Sequence, residues 1–87
     1  MNRRQLGRFK IDGTHFDRPD WVSELFVLLR IVPVRVRQSL DLTGLDYVAI
    51  CPRFAEVPEG EEIPIYTIET TESDRGIDAA RVYLAEA

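Results

Sequence analysis

The sequence predicts a small single-domain α+β protein, in which an antiparallel sheet of about five strands carries two helices in the order ββ-α-ββ-β-α. Three observations lead to this fold class. The chain has 87 residues, which suits one domain over residues 1–87. One segment carries apolar residues at helical spacing, and several others alternate at the period of a strand. Helices packed on an antiparallel sheet bury both kinds of apolar face.

The first two elements are predicted to be the strands of a hairpin. Asp12-Gly13 is typical of a two-residue turn in which both positions have positive φ. The strands are therefore expected at about residues 6–11 and 14–16. The preceding residues 1–4 are expected to be loosely ordered.

The stretch 17–30, DRPDWVSELFVLLR, is predicted to form the first helix, with Asp17 or Asp20 as its N-cap and Pro19 in an early position. Its second half is apolar nearly all round, so we expect the second helix or a second copy of the chain to cover it as well as the sheet. The stretch 25–32 could instead be a strand. The apolar residues at helical spacing are Trp21, Val22, Leu25, Phe26, Leu28 and Leu29.

The segment 31–40, IVPVRVRQSL, alternates at the strand period and returns through a turn at 41–44 into a strand at 46–51. If Asp41 lies opposite Leu45, the side chains of the two strands divide into two sets. The core face then holds Val34, Val36, Val48 and Ile50. The other face holds Arg35, Arg37, Tyr47, Ala49 and Cys51.

The C-terminal third is predicted to contain a loop, a strand and a helix. Pro58-Glu59-Gly60-Glu61 favours a turn in the loop, and residues 63–71 alternate as a strand that Pro64 confines to an edge or a strand start. Ser73 or Asp74 is expected to cap a final helix that carries Ile77, Ala80, Val82 and Leu84.

Composition narrows the functional classes. Fifteen acidic against eleven basic residues give a net charge of −4, which weighs against tight non-specific DNA binding. A single cysteine cannot form an internal disulfide, so a reducing, cytoplasmic setting is expected. The longest apolar run is far shorter than the roughly 20 residues of a membrane span, and no targeting segment is visible.

The residues that could carry catalysis are few. His15 lies near Asp17, which could orient the imidazole ring, or the two residues could bind a metal together. A catalytic zinc site, however, needs three protein ligands. Cys51 would need a base, and His15 is the only histidine. No glycine-rich phosphate loop is present. We therefore expect a protein that is not an enzyme, with no catalytic residues, no metal and no cofactor.

Three sets of residues are candidate contact surfaces. The first is an arginine face with an aromatic ring, which could meet a protein or stack a nucleic-acid base. The second is an acidic loop suited to a basic partner. The third is the apolar side of the first helix, which could form a homodimer interface. Their members are Arg35, Arg37, Tyr47 and Arg53; Glu59, Glu61 and Glu62; and Trp21, Leu25, Phe26 and Leu28.

The segment 47–69, YVAICPRFAEVPEGEEIPIYTIE, resembles small bacteriophage-encoded proteins in which Y-x-A-I-S leads through a Phe and an E-V-P-E-G-type turn into I-P-x-Y. Cys51 stands where serine would be expected. The resemblance implies an accessory protein that binds and inhibits a host protein, as anti-CRISPR and other anti-defence inhibitors do. A small, dimeric protein-binding module is thus the first functional hypothesis. A nucleic-acid-binding module that uses Arg35, Arg37 and Tyr47 is the alternative, and an enzyme is the third.

Overall fold

Five strands, one α-helix and one 3-10 helix form residues 4–85, the part of the chain that the computed structural model describes. The α+β class and the five strands are confirmed, but the strands form two antiparallel sheets and the described residues contain one α-helix instead of two. The elements are β1 (Leu6–Asp12), the 3-10 helix (Gly13–Asp17), α1 (Pro19–Leu29), β2 (Val32–Gln38), β3 (Gly44–Ile50), β4 (Tyr66–Ser73) and β5 (Gly76–Leu84).

The larger sheet, called the main sheet, has the strand order β1-β3-β2, and both of its pairs are antiparallel. Residues that face each other across β1 and β3 include Phe9 with Tyr47 and Gly7 with Ala49. Side chains alternate between the two faces of a strand, so the odd-numbered residues of β1 and β3 share the inner face and the even-numbered ones share the outer face.

Helix α1 covers the inner face of the main sheet. The ring of Phe26 meets the rings of Phe9 and Tyr47 edge-on, with centroids 6.1 and 5.2 Å apart, and Phe9 and Tyr47 stack on each other at 5.3 Å. Leu25 and Leu29 are almost completely buried. The aromatic cluster and these leucines anchor the helix to β1 and β3 and leave β2 largely uncovered.

The helix ends at Arg30, which has a left-handed conformation with φ 57°. The N–H of Ile31 donates to the carbonyl of Phe26 at 2.8 Å, and the N–H of Arg30 donates to that of Val27 at 3.3 Å. This is the Schellman arrangement, here with arginine at the position that glycine usually occupies. The predicted helix is therefore confirmed, and the alternative of a strand from residue 25 is wrong.

The hairpin of β4 and β5 packs against the second side of α1. Ile77 is buried there, and its N–H donates to Oε1 of Glu24 at 3.0 Å. The indole N–H of Trp21 donates to Oε1 of Glu72 at 3.0 Å, and Arg18 donates to the same oxygen at 2.7 Å. The second cover of the apolar helix is thus a β-hairpin of the same chain.

The hairpin is tied to β1 at its start. The N–H of Arg8 donates to the carbonyl of Pro64 at 2.9 Å, and Arg8 forms a parallel bridge with Ile65. Phe54 and Tyr66 stack with centroids 4.4 Å apart over Gly7, where a Cβ would come within 2.7 Å of either ring. Glycine is required at this position because the two rings lie directly on the backbone.

Two predicted elements are wrong. Residues 13–17 form the 3-10 helix instead of a returning strand, because Asp12 accepts a hydrogen bond from the N–H of Thr14 at 3.0 Å and Gly13 does not adopt positive φ. The predicted final helix is strand β5, since Asp74-Arg75 form a hairpin turn that Gly76 completes with φ 113°. Turn chemistry at these two points overrides the local signals for hairpin and helix.

Residues 1–3, which were expected to be loosely ordered, lie outside the described residues, as does the side chain of Asp17. Arg4 is held in place: its carbonyl accepts from the N–H of Val57 at 2.7 Å, and its Nε donates to the carbonyl of Val57 at 2.8 Å. The expected looseness therefore does not extend to Arg4.

Candidate ligand-binding groove

The outer face of the main sheet forms an open groove of about 470 Å³. Four cationic side chains and one carboxylate line it, together with three aliphatic side chains. The charged residues are Arg8, Lys10, Arg35, Arg37 and Asp46, and the aliphatic ones are Val48, Ile63 and Ile65. Phe9 and Tyr47 also border the groove, but both are buried, and their rings stack on each other on the inner face of the sheet. A groove of this composition, in a chain with net charge −4, is a local concentration of positive charge.

Strand register places the charged residues of the groove in two cross-strand rows. Arg8 and Arg35 lie on either side of Val48, and Lys10 and Arg37 lie on either side of Asp46. Opposed residues on one face have Cβ atoms roughly 5 Å apart, so long side chains from the outer strands converge over the central one. The result is a frame of four cations on the outer strands around Val48 and Asp46 on the central strand.

The cationic side chains of the groove differ in the number of hydrogen bonds and ion pairs that they form within the protein. Lys10 pairs with Asp41 at 3.0 Å, and Nε of Arg8 donates to the carbonyl of Ile63 at 3.4 Å. Within residues 4–85, the guanidinium groups of Arg35 and Arg37 have neither a hydrogen bond nor an ion pair, and both residues are exposed. Arg35 and Arg37 are thus the two cations of the groove that engage no other group of the described residues.

The loop between β2 and β3 supports one end of the groove through Asp41. Its Oδ1 accepts hydrogen bonds from the hydroxyls of Ser39 and Thr43, each at 2.7 Å. Those bonds, with the ion pair to Lys10, hold the pKa of Asp41 well below its ordinary value of 3.8. An ionised Asp41 therefore fixes both the loop and the end of the Lys10 side chain.

Arg35 and Arg37 lie on one face, as predicted, but the other residues predicted for that face do not lie on it. Arg35 lies opposite Val48, and Val36 lies opposite Tyr47. The ring of Tyr47 is buried beneath α1 and cannot stack a ligand beside the arginines, while Ala49 and Cys51 are buried as well. The register is the cause: Gln38, not Asp41, lies opposite Leu45, an odd offset that exchanges the two faces.

Val34 and Val36, which are predicted as core, are exposed instead, as is Val32 of the same strand. Val32, Val34 and Val36 keep 49, 57 and 45% of their surface, because β2 is the outer strand and α1 lies over β1 and β3. An irregularity between Pro33 and Arg35 further interrupts the alternation.

The other proposed contact residues lie outside the groove. Arg53 is exposed, and one of its terminal nitrogens reaches the carbonyl of Ala80 at 3.5 Å. Glu59, Glu61 and Glu62 are exposed on the loop that leads into Ile63. The predicted turn at Pro58 is confirmed, since the N–H of Glu61 donates to the carbonyl of Pro58 at 3.1 Å and Gly60 has φ 87°.

The apolar residues of α1 that were considered for a dimer interface are mostly occupied within the chain. Trp21 and Leu25 are buried, and Phe26 packs on Phe9 and Tyr47. Leu28 keeps 45% of its surface. The fold itself therefore accounts for the burial of all of these residues except Leu28.

The two candidates for catalysis are also explained by packing. The ring of His15 stacks on Trp21 with centroids 3.9 Å apart. Cys51 is fully buried, its thiol contacts the carbonyl of Leu29 at 3.3 Å, and burial raises its pKa. In the part of the chain that the structure describes, no three His, Cys, Asp or Glu side chains are placed to hold a metal ion.

Arg8, Lys10 and Asp46 belong to the site but are absent from the residues predicted for it. The sequence carried a signal for the first two, because Arg8 and Lys10 alternate with Phe9 and Ile11 just as arginines alternate with valines in β2. The local pattern does not reveal that β1 pairs with β3, and this pairing places the basic residues of β1 and β2 on one face.

Comparison with protein-family models, with curated proteins and with solved structures gives no match. Among residues 4–85, no helix has the length and apolar character needed to cross a membrane.

Proposed function

We propose that this chain is a small non-enzymatic binding module that holds an acidic segment of a partner protein in the groove of the main sheet. One observation carries the proposal: Arg35 and Arg37 are exposed and unpaired within residues 4–85, and they share a face with Arg8 and Lys10. Guanidinium groups bind carboxylates in a bidentate fashion, and cations gathered on one face attract an anionic partner.

The groove suits a peptide better than a nucleic acid. Val48, Ile63 and Ile65 offer aliphatic contacts, whereas the rings of Phe9 and Tyr47 point to the inner face of the sheet. Binding of single strands uses exposed aromatic rings on which bases stack.

The resemblance of residues 47–69 to bacteriophage-encoded proteins makes a protein of a bacterial host the first partner to test. A module that covers an acidic segment of a host protein would inhibit it by occupying that segment. An anti-defence role of this kind needs no catalytic group.

The experiment compares two variants with the same loss of charge. Arg35→Gln/Arg37→Gln removes the two unpaired cations of the groove, and Arg30→Gln/Arg75→Gln removes two exposed arginines elsewhere. Binding of a fluorescein-labelled peptide rich in glutamate is followed by anisotropy at low salt, beside a single-stranded oligonucleotide of equal charge. We expect the groove variant to lose about tenfold in affinity for the peptide, from two exposed charge pairs, and the control variant to lose much less.

An equal loss in both variants would indicate attraction by overall charge and would contradict the proposal. Tighter binding of the oligonucleotide, lost in the groove variant, would replace the protein partner by a nucleic acid. Absence of peptide binding at low salt would also refute the proposed function.

A further inference from the structure

Strand β2 presents an unpaired edge beside the groove. It is the outermost strand in the order β1-β3-β2, and all seven of its residues are exposed. No other element within residues 4–85 pairs with its outer side. An edge strand offers a row of backbone donors and acceptors to an added strand.

The hydrogen bonds at the end of β2 identify the backbone groups that face outward. The N–H of Ser39 donates to the carbonyl of Gly44 at 3.0 Å, so these opposed residues form a hydrogen-bonded pair. In an antiparallel pair such positions recur at every second residue, so the backbone N–H and carbonyl groups of Arg35 and Arg37 point toward β3. The N–H and carbonyl of Val36 and Gln38 consequently point to the free edge.

The side chains at the same edge point to different faces. Arg35 and Arg37 project into the groove on the outer face, and Val36 projects to the inner face opposite Tyr47 with 45% of its surface exposed. A strand added beside Val36 would place its own side chains in the same alternation. Pro33 and the irregularity next to it limit pairing to the stretch from Arg35 onward, because proline has no N–H.

We infer that the partner segment binds as an extended strand that pairs antiparallel with the edge of β2 and carries an acidic-apolar-acidic triplet. The central residue exchanges both backbone hydrogen bonds with Val36 and sets its apolar side chain beside the Val36 side chain. The two acidic residues lie opposite Arg35 and Arg37. This inference rests on the proposed function and narrows it. The ligand strand lies beside β2, so its acidic side chains meet the groove at Arg35 and Arg37, whereas Arg8 and Lys10 on the far strand β1 contribute attraction over a longer distance.

Charge complementarity selects this occupant over a second copy of the chain. Two β2 strands paired edge to edge would bring the arginines of both copies together, and like charges opposite each other destabilise a sheet. An acidic strand instead neutralises Arg35 and Arg37, which have no partner within residues 4–85.

The test uses the peptide Ser-Thr-Glu-Val-Glu-Thr-Ser and two N-methylated forms. Methylation of the central valine nitrogen removes the N–H that would donate to Val36, whereas methylation of the second glutamate nitrogen alters an N–H that would point away from β2. We expect the first change to weaken binding at least about tenfold, since it breaks a backbone bond and adds bulk at the edge. The second should weaken binding much less.

Hydrogen exchange supplies an independent readout on the unmodified protein. Binding of the parent peptide should slow amide exchange of Val36 and Gln38 and leave Arg35 and Arg37, whose amides already face β3, nearly unchanged.

Equal effects of the two methylations, or no slowing at Val36, would overturn strand pairing. If Arg35→Gln/Arg37→Gln still abolished binding, the groove would remain an anion site and only the strand geometry would fail. If that double variant also bound normally, both the inference and the proposed function would be wrong.

Discussion

The register between β1 and β3, on which the groove depends, is tested by Gly44→Ala. A Cβ at Gly44 would lie 2.1 Å from the carbonyl oxygen of Ile11, whereas Cβ atoms essentially never approach a heavy atom closer than 3.0 Å. The two strands would have to separate by roughly 1 Å, which disrupts the ladder that unites the basic residues of the groove. We expect a loss of about 3 kcal/mol in the free energy of unfolding.

Gly60→Ala is the matched control. Gly60 has φ 87°, and no heavy atom lies within 4 Å of the place that a Cβ would take, so alanine meets only the cost of a left-handed conformation. That cost is about 1 kcal/mol once the reduced freedom of the unfolded chain is included.

Urea denaturation followed by the fluorescence of Trp21 measures both variants, since Trp21 is the only tryptophan and is buried. A loss of about 3 kcal/mol corresponds to a fall in Tm of roughly 12–24 °C for a domain of this size. If Gly44→Ala lost no more than Gly60→Ala, the close approach of β1 and β3 at this point would be incorrect, and with it the register that forms the groove.

Three further predictions follow from individual side chains. Arg30→Gly should raise the free energy of unfolding by about 0.5–1 kcal/mol because it relieves the left-handed conformation at the end of α1, whereas Arg30→Ala should give no gain in the same urea titration. Folding lowers the pKa of Asp41, so the unfolded chain takes up a proton on this residue first as the pH falls below 3.8, and the folded state loses stability there. Asp41→Asn should therefore be less stable than the wild type at neutral pH. Its urea midpoint should also fall less steeply than that of the wild type below pH 3.8. Asp46→Asn removes the one carboxylate of the groove and should tighten binding of the acidic peptide about twofold to threefold at low salt; unchanged affinity would place the peptide away from Asp46.

Local sequence patterns predicted the elements that depend on residues close together in the sequence. Apolar residues at helical spacing between Trp21 and Leu29 gave α1, and alternation gave β2 and most of β3. The turn at Pro58 also follows from its own residues, because Gly60 readily takes the positive φ that the turn requires.

The two wrongly predicted elements each follow a turn whose sequence is compatible with two structures. Asp12-Gly13 suits a hairpin, but the Asp12 side chain accepts from Thr14 and begins a 3-10 helix. Asp74 resembles a helix cap, yet Gly76 with φ 113° turns the chain back as β5. In both cases the neighbouring sequence is compatible with either structure, and the Asp12 hydrogen bond or the positive φ of Gly76 decides.

The arginine face shows how an odd shift in register changes a functional prediction. The sequence suggested a short turn after Leu40, but hydrogen bonds from Ser39 and Thr43 to Asp41 close a wider loop, in which Leu42 has φ 62°. This wider loop removed Tyr47 from the face of Arg35. The same face gained Arg8 and Lys10 from β1, whose pairing with β3 joins residues distant in the sequence.

We expect the outer face of the main sheet to bind an acidic segment of a partner protein. The most direct measurement is a ¹H–¹⁵N NMR titration of the full chain with the peptide Ser-Thr-Glu-Val-Glu-Thr-Ser. We expect the largest chemical-shift changes at Arg35, Val36, Arg37 and Val48, and small changes in α1 and at Glu59. Changes centred on α1 or on the acidic loop, or none at all at low salt, would contradict the claim.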